Sequence, residues 1–229
     1  MGQRPKPFLS GEWYHCYNRG VDKRQIFMDE NDYERFLMLL YAANNVEAVH
    51  ISNFEHRSKS KTLTEVLRIK RKGRLVDLAA FDLMRTHTHF LLREFAQGGI
   101  TSFMRKLGTA YTMYFNIRYE RTGSLFQGAF KAKHISDDQY FNRILSYIHS
   151  NHAEYVEPKW KQGIIRDEEA LKKFLIEYRY SSLPEYCSLT RPESVLVNVD
   201  AVLETIDRLP DVRQVIEEGR IYARNDAEW

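Results

Sequence analysis

VDLAAFDLMRTHTHFLLRE, residues 76–94, contains two apolar runs separated by a short polar turn. Apolar runs that are bounded by turn residues are typical of strands buried on both faces. The stretch therefore predicts a hairpin with strands at 76–84 and 87–94. The second strand begins with two histidines, His87 and His89, which are separated by one residue.

The segments on either side of this hairpin show both strand and helix patterns. Periodicity and turn residues predict a strand at 12–18, a helix from Asp29, a long amphipathic helix at 100–119, a strand at 125–135 interrupted by Gly128, and a helix that begins at Asp137 or Asp138 and ends before Pro158. The order β, α, insertion, β, β, α, β, α is that of a ferredoxin-like sandwich. We therefore expect an α+β fold in which an antiparallel sheet carries helices on one face.

The charge distribution divides the chain near residue 160. Residues 1–160 carry 24 Lys and Arg against 17 Asp and Glu, whereas residues 161–229 carry 10 against 14. We predict a domain at 1–160, with a basic arm inserted at about 46–74, and an acidic helical C-terminal appendage at 161–229 that packs on the first domain. The basic arm suits a polyanion, although a solvated surface hairpin has the same composition.

The composition is that of a globular chain which needs no covalent cross-links. Hydrophobic residues make up 43% of the 229 residues. Cys16 and Cys187 are far apart in the sequence and indicate neither a disulfide framework nor a cysteine-built zinc site, which favours a reducing compartment. The N-terminal residues contain no apolar signal core, and no segment reaches the roughly 18 apolar residues of a membrane span. We expect a cytoplasmic protein with no membrane partner.

The spacing of His87 and His89 indicates a metal site. Residues i and i+2 of a strand point to the same face, so the two imidazoles converge within reach of one divalent ion. Two polar residues at the end of a strand would give the same pattern without any metal.

A second group of residues lies on the helix that follows Asp138. Tyr147 and Asn151 are four residues apart and share a helix face with Tyr140 and Ile144. Core packing is the usual meaning of such a face, but Asn151 is a poor core residue. Its amide oxygen is a suitable hard ligand for Mg²⁺ or Mn²⁺.

Several motifs together resemble the single-tyrosine HUH transposases, in particular the IS200-like and REP-associated tyrosine transposases. The motifs are the strand with His87-Thr88-His89, LFQGAFK after a long helix, YHCYNRGVDKRQIF followed by DYERFL, SYIHSNHAEY and YRYSSLPEY. The resemblance covers about residues 12–186. Departures from the family pattern include Thr88 between the histidines, where a hydrophobic residue is usual, and His152 in place of a proline.

The resemblance implies a function and a set of site residues. His87, His89 and Asn151 would hold Mg²⁺ or Mn²⁺, and Tyr147 would cleave single-stranded or hairpin DNA through a 5′-phosphotyrosine and rejoin it by reversal. Basic residues that could contact the DNA strand are Arg19, Lys23, Arg105, Lys131 and Lys133. The resemblance leaves open a monomer that acts in cis and a homodimer that acts in trans.

Some residues have competing interpretations. Tyr140 is the main competitor of Tyr147 as the nucleophile, and we interpret His15, His134 and His149 as structural or surface residues. Two other functions also agree with the sequence, namely a hairpin- or repeat-binding protein that does not cut DNA and a metal-dependent hydrolase that activates water.

Overall fold

Four antiparallel strands form one sheet in a computed structural model that describes residues 7–47 and 62–225. The strands are β1 Trp13–Arg19, β2 Val76–Met84, β3 His87–Glu94 and β4 Lys131–His134, and their order in the sheet is β2-β3-β1-β4. This is the strand order of a ferredoxin-like sandwich, so the predicted fold class is confirmed.

The hairpin of β2 and β3 has the predicted bounds and forms the most buried part of the sheet. All nine residues of β2 are buried, and its pairing with β3 runs from Val76 opposite Glu94 to Met84 opposite His87. An irregularity between Leu78 and Ala80 shifts the register, and it turns both Ala79 and Ala80 toward the same core.

The strands are linked and covered by helices of very different length. The α-helices are α1 Glu30–Ala43, α2 Leu63–Leu67, α3 Gly99–Arg118, α4 Asp138–Ser150, α5 Glu168–Glu177, α6 Leu183–Tyr186, α7 Val199–Leu203 and α8 Val212–Asn225. Short 3₁₀ helices occupy Val21–Lys23, Asn151–Tyr155, Trp160–Gln162 and Pro192–Leu196. The caps of α1 and α4 are Asp29 and Asp137, whose carboxylates accept hydrogen bonds from the backbone N–H groups of Asp32 and Tyr140. Asp137 is one of the two residues at which the sequence predicts the start of α4.

Helices cover both faces of the sheet. The predicted pair, α1 and α3, packs on one face in a core that includes Phe90 and Leu92. The other face, which includes Leu91, is covered by α4 together with helices of residues 161–229. The expectation of helices on one face therefore describes α1 and α3 only.

In the C-terminal segment, α8 lies along α4, whereas α7 contacts β2 of the sheet. Gly219 of α8 faces Ser146 and Ser150 of α4, where an added Cβ would overlap both residues. Small side chains on both helices allow this close approach. The C-terminal segment thus packs on α4, while its status as a separate appendage stays a prediction.

Two local predictions differ from the structure, and part of a third lies outside the described residues. The strand expected at 125–135 is reduced to β4, because residues 125–130 make only one isolated bridge, from Phe126 to Gly20. Within the predicted helical appendage, residues 192–203 form only a 3₁₀ turn and the short α7. Of the basic arm, residues 62–74 include α2, and residues 48–61 lie outside the described residues. Within the described ranges, no helix has the length and apolar character needed to cross a membrane.

Candidate functional site

His87 and His89 lie on the face of the sheet that α4 covers. Alternation along β3 turns both side chains, with Leu91, away from the α1–α3 core that contains Phe90 and Leu92. The ring centroids of the two histidines are 5.1 Å apart. The two imidazoles therefore converge, as their spacing predicts.

Helix α4 and the residue after it complete the cluster. Asn151 Nδ2 lies 3.3 Å from His87 Nε2, and the ring centroid of Tyr147 lies 5.5 Å from that of His89. Asn151 is fully buried, and its Oδ1 makes no hydrogen bond with any described residue. A buried amide oxygen without a partner costs free energy, and a bound cation would remove that cost.

The histidines of the site are neutral. Burial, followed by the charges of Arg19 and Lys161, lowers the pKa of His87 to about 3. Burial also holds the pKa of His89 well below its ordinary value. Neutral imidazole is the form that binds metals, so these histidines need not lose a proton before a metal binds.

The buried histidines predict a pH-dependent stability for the metal-free protein. The pKa values of His15, His87 and His149 are each lowered to about 3, mainly by burial, whereas an unfolded histidine titrates near 6.5. Below pH 6.5 the unfolded chain binds protons that the folded chain does not, so stability is complete above about pH 7 and falls as the pH drops from 6.5 toward 3. Each histidine should lower the free energy of unfolding by about 1.4 kcal/mol between pH 7.5 and 5.5.

Urea unfolding at these two pH values checks this prediction. His149→Asn should remove about a third of the difference that the three histidines produce. Equal free energies of unfolding at pH 7.5 and 5.5 for the wild type would contradict it.

Three further charged or titratable residues lie beside the cluster. Lys161 places its Nζ 5.9 Å from the ring centroid of Tyr147 and 3.3 Å from Glu154. Asp82 on β2 pairs across the hairpin with His89 and is bound by His152 Nδ1 at 3.0 Å, with both side chains fully buried. Burial raises the pKa of Asp82, and His152 opposes this shift.

Sequence reasoning did not identify these three residues as part of the site. His152 was visible as the residue that replaces a family proline, and the structure shows that it pairs with Asp82. Lys161 follows Pro158, in a segment that no motif marks, so only the fold reveals its position.

The predicted DNA-contact residues are not all on one side of the sheet. In the strand register, Arg19 of β1 lies opposite His87 of β3. Lys131 and Lys133 of the edge strand β4 lie opposite Tyr17 and His15 of β1. These three basic residues are therefore on the same side of the sheet as the site histidines. Lys23 is exposed in the 3₁₀ turn after β1. Arg105 lies on α3, beside a groove of 480 Å³ between α1 and α3, and therefore on the opposite face.

The cluster is closed in this conformation. Tyr147 is 1% exposed, and the ring of Tyr222 from α8 lies 4.8 Å from its ring. Asn151 and His89 are fully buried, and His87 is 9% exposed. A polymer substrate could reach Tyr147 only after a covering element has moved.

Comparison with known families identifies the class of protein. A family model described as "Transposase IS200 like" matches residues 10–151, more than half of the chain. The chain belongs to the IS200-like transposase family. Family membership assigns it a transposase-related function on DNA.

The IS200-like chain also matches one solved structure. That structure is a REP-associated tyrosine transposase bound to a REP hairpin, with 12% identity, coverage of 84% of this chain and 90% of that chain, and a TM-score of 0.48. No curated protein matches the sequence.

The IS200-like family generally uses a divalent metal ion, so the described residues were compared with the side-chain clusters that usually hold one. Among residues 7–47 and 62–225, no group of three or more His, Cys, Asp or Glu side chains has an arrangement suited to a metal. The predicted ligand set consists of two histidines and the amide of Asn151, so it is not a group of that kind.

Proposed function

We propose that this protein cleaves and rejoins single-stranded DNA through a 5′-phosphotyrosine formed by Tyr147. One observation carries the proposal: the Tyr147 ring lies 5.5 Å from His89 in a cluster that also contains His87 and Asn151. A tyrosine beside two neutral imidazoles and a buried amide oxygen is more than a packing arrangement, because three polar groups are buried at one point.

The donor set fits a hard divalent ion, which we propose to be Mg²⁺ or Mn²⁺. His87 and His89 supply neutral nitrogens, and rotation of the Asn151 amide exchanges Nδ2 for the unbonded Oδ1 on the side of His87. When bound, such an ion polarises the scissile phosphate and offsets the charge that develops in the transition state.

The chain's own residues would carry out the covalent exchange. The Tyr147 hydroxyl forms the new O–P bond and loses its proton, while the bond from phosphorus to the 3′ oxygen breaks and that oxygen gains a proton. The phosphotyrosine conserves one diester bond, so a 3′-hydroxyl can reverse the step without ATP. No phosphate-binding loop of the G-x-x-x-x-G-K-S/T type is present in the sequence to power duplex opening, which supports an already single-stranded or hairpin substrate.

The proposed reaction includes an opening step, because Tyr147 is 1% exposed. Helix α8 is the element that covers it, through Tyr222 and the close approach of Gly219 to α4. Because α4 packs on β2 and β3 of its own chain, we propose a monomer that acts in cis.

We propose a path for the DNA strand along the side of the sheet that holds the histidines. Arg19, Lys131 and Lys133 lie on that side, and Lys23 follows β1, whereas Arg105 lies across the sheet and is not included in the path. Phosphate contacts of this kind bind any sequence and weaken with salt. A chromosomal substrate of this kind would place the protein at the nucleoid in the cytoplasm.

We also propose that Lys161 contacts the scissile phosphate. Glu154 offsets part of the charge of Lys161, and a phosphodiester between the lysine and a bound dication would offset the remaining repulsion between the two cations. Lys161→Gln should slow covalent attachment about 100-fold, a typical effect of removing one group that stabilises transition-state charge. Lys161→Arg should retain part of the rate, and Lys159→Gln, at an exposed position two residues earlier, should retain all of it. An unchanged rate in Lys161→Gln would exclude the contact.

The proposed function is tested with a labelled single-stranded hairpin from the DNA beside the gene, incubated with Mn²⁺ or Mg²⁺. A denaturation-resistant protein–DNA adduct supports cleavage by a tyrosine. A second function, a hairpin-binding protein that does not cut DNA, is favoured by the burial of Tyr147 and would give a mobility shift without an adduct.

A further inference from the structure

His15 of β1 is hydrogen-bonded to the proposed metal ligand His89. His15 Nε2 and His89 Nδ1 are 2.9 Å apart, and the two ring planes are 19° apart with centroids separated by 5.1 Å. His15 is 1% exposed and His89 is fully buried. The bond is therefore shielded from water, which could otherwise replace either partner.

The strand register explains how two residues 74 positions apart come to share this bond. In the antiparallel pairing of β1 with β3, Tyr17 lies opposite His89 and His15 lies opposite Leu91. His15 and His89 are thus diagonal neighbours on the same face, a separation that two imidazole rings can span.

The bond has a direct consequence for metal binding. A neutral imidazole carries one N–H and one lone pair, and the partner of one nitrogen decides which form is present. If His89 Nδ1–H donates to His15 Nε2, the lone pair of His89 lies on Nε2 and can bind a metal. If His15 donates instead, His89 carries its proton on Nε2 and cannot.

We propose that His15 is a positioning residue that orients the His89 ring and holds it in the tautomer that binds the metal through Nε2. The inference rests on the metal site of the proposed function. Histidines that bind metals usually donate their other ring N–H to an acceptor of this kind, although the acceptor is more often a carboxylate or a carbonyl.

An acceptor role for His15 requires a neutral ring that carries its proton on Nδ1. Burial and, after it, the charge of Lys133 lower the pKa of His15 to about 3, so the ring is neutral. His15 Nδ1 makes no hydrogen bond with a described residue. The bond to His89 is therefore the interaction that distinguishes the two tautomers of the pair.

Binding of Mn²⁺ to the full-length protein without DNA tests the inference, with free Mn²⁺ measured by electron paramagnetic resonance. His15→Phe keeps a ring but removes the acceptor, and it should weaken Mn²⁺ binding about 10- to 100-fold. His15→Gln should restore most of the affinity, because its amide oxygen can accept from His89. His149→Phe removes another buried histidine, which bonds Ser182, and should bind Mn²⁺ as the wild type does.

The outcomes separate this inference from the proposed function. If His89→Ala binds Mn²⁺ as well as the wild type does, the proposed metal site is wrong. If His89→Ala loses Mn²⁺ binding but His15→Phe keeps it, the site stands and the role of His15 is refuted.

A measurement on the wild type covers the case in which His15→Phe does not fold. The ¹⁵N chemical shifts of the His89 ring report which nitrogen carries the proton. Protonated Nδ1 is the expected result, and protonated Nε2 in the metal-free protein would overturn the inference.

Discussion

Tyr147→Phe is expected to abolish covalent attachment of the protein to single-stranded DNA. The substitution removes only the hydroxyl that would form the bond to phosphorus, and it keeps the ring that packs 4.8 Å from Tyr222 and 5.5 Å from His89. An oligonucleotide labelled at its 3′ end should follow the wild-type protein through denaturing electrophoresis, because a 5′-phosphotyrosine retains the downstream fragment. The variant should show no labelled protein band.

Two other tyrosines near the cluster provide matched controls. Tyr140 lies on the same face of α4, with its ring 6.0 Å from that of Tyr222, and Tyr222 itself lies on α8. Tyr140→Phe and Tyr222→Phe should both retain the adduct. An adduct that survives Tyr147→Phe and disappears in one of these variants would assign the nucleophile to that tyrosine.

The same assay distinguishes the rival functions. Cleavage without an adduct that continues in Tyr147→Phe would indicate a hydrolase that activates water. A mobility shift with no cleavage in any protein would indicate a DNA-binding protein of transposase ancestry. Because Tyr147 is buried, the rate of adduct formation should not exceed the rate at which α8 moves away from Tyr147.

Local patterns were sufficient for the parts of the fold that depend on neighbours in sequence. The bounds of the β2–β3 hairpin agree with the prediction, because two apolar runs and a short turn specify a hairpin without distant contacts. The convergence of His87 and His89 follows from the two-residue repeat of a strand. The strand predicted at 125–135 was wrong for residues 125–130, because their apolar side chains pack against the core and the segment makes only one isolated bridge.

Contacts between distant segments were not predictable from the sequence. The bond between His15 and His89 depends on the register of β1 against β3, and a shift of one residue would turn His15 to the other face. The cover that Tyr222 forms over Tyr147 depends on the packing of α8 on α4, which no local pattern marks. For this reason the sequence indicates only a structural or surface role for His15 and marks no site residue in the C-terminal segment.

Asn151→Leu is expected to lower Mn²⁺-dependent cleavage at least about 100-fold, since one group that stabilises transition-state charge is typically worth that much. Leucine has a similar volume but no oxygen, so it removes the one buried amide oxygen of the cluster that has no hydrogen-bond partner among the described residues. Asn151→Asp should retain cleavage, because a carboxylate is a favoured ligand of Mg²⁺ and Mn²⁺. The measurement is the initial rate of adduct formation as a function of Mn²⁺ concentration.

The pair of variants at Asn151 separates metal binding from packing. Asn142→Leu makes the same substitution on the half-buried side of α4, where the amide bonds only the carbonyl of Asp138, and it should leave the rate unchanged. If Asn151→Asp were as inactive as Asn151→Leu while both proteins kept wild-type circular dichroism, Asn151 would be holding the helix end instead of the ion. A normal Mn²⁺ dependence in Asn151→Leu would remove Asn151 from the ligand set and leave His87 and His89 as its protein members.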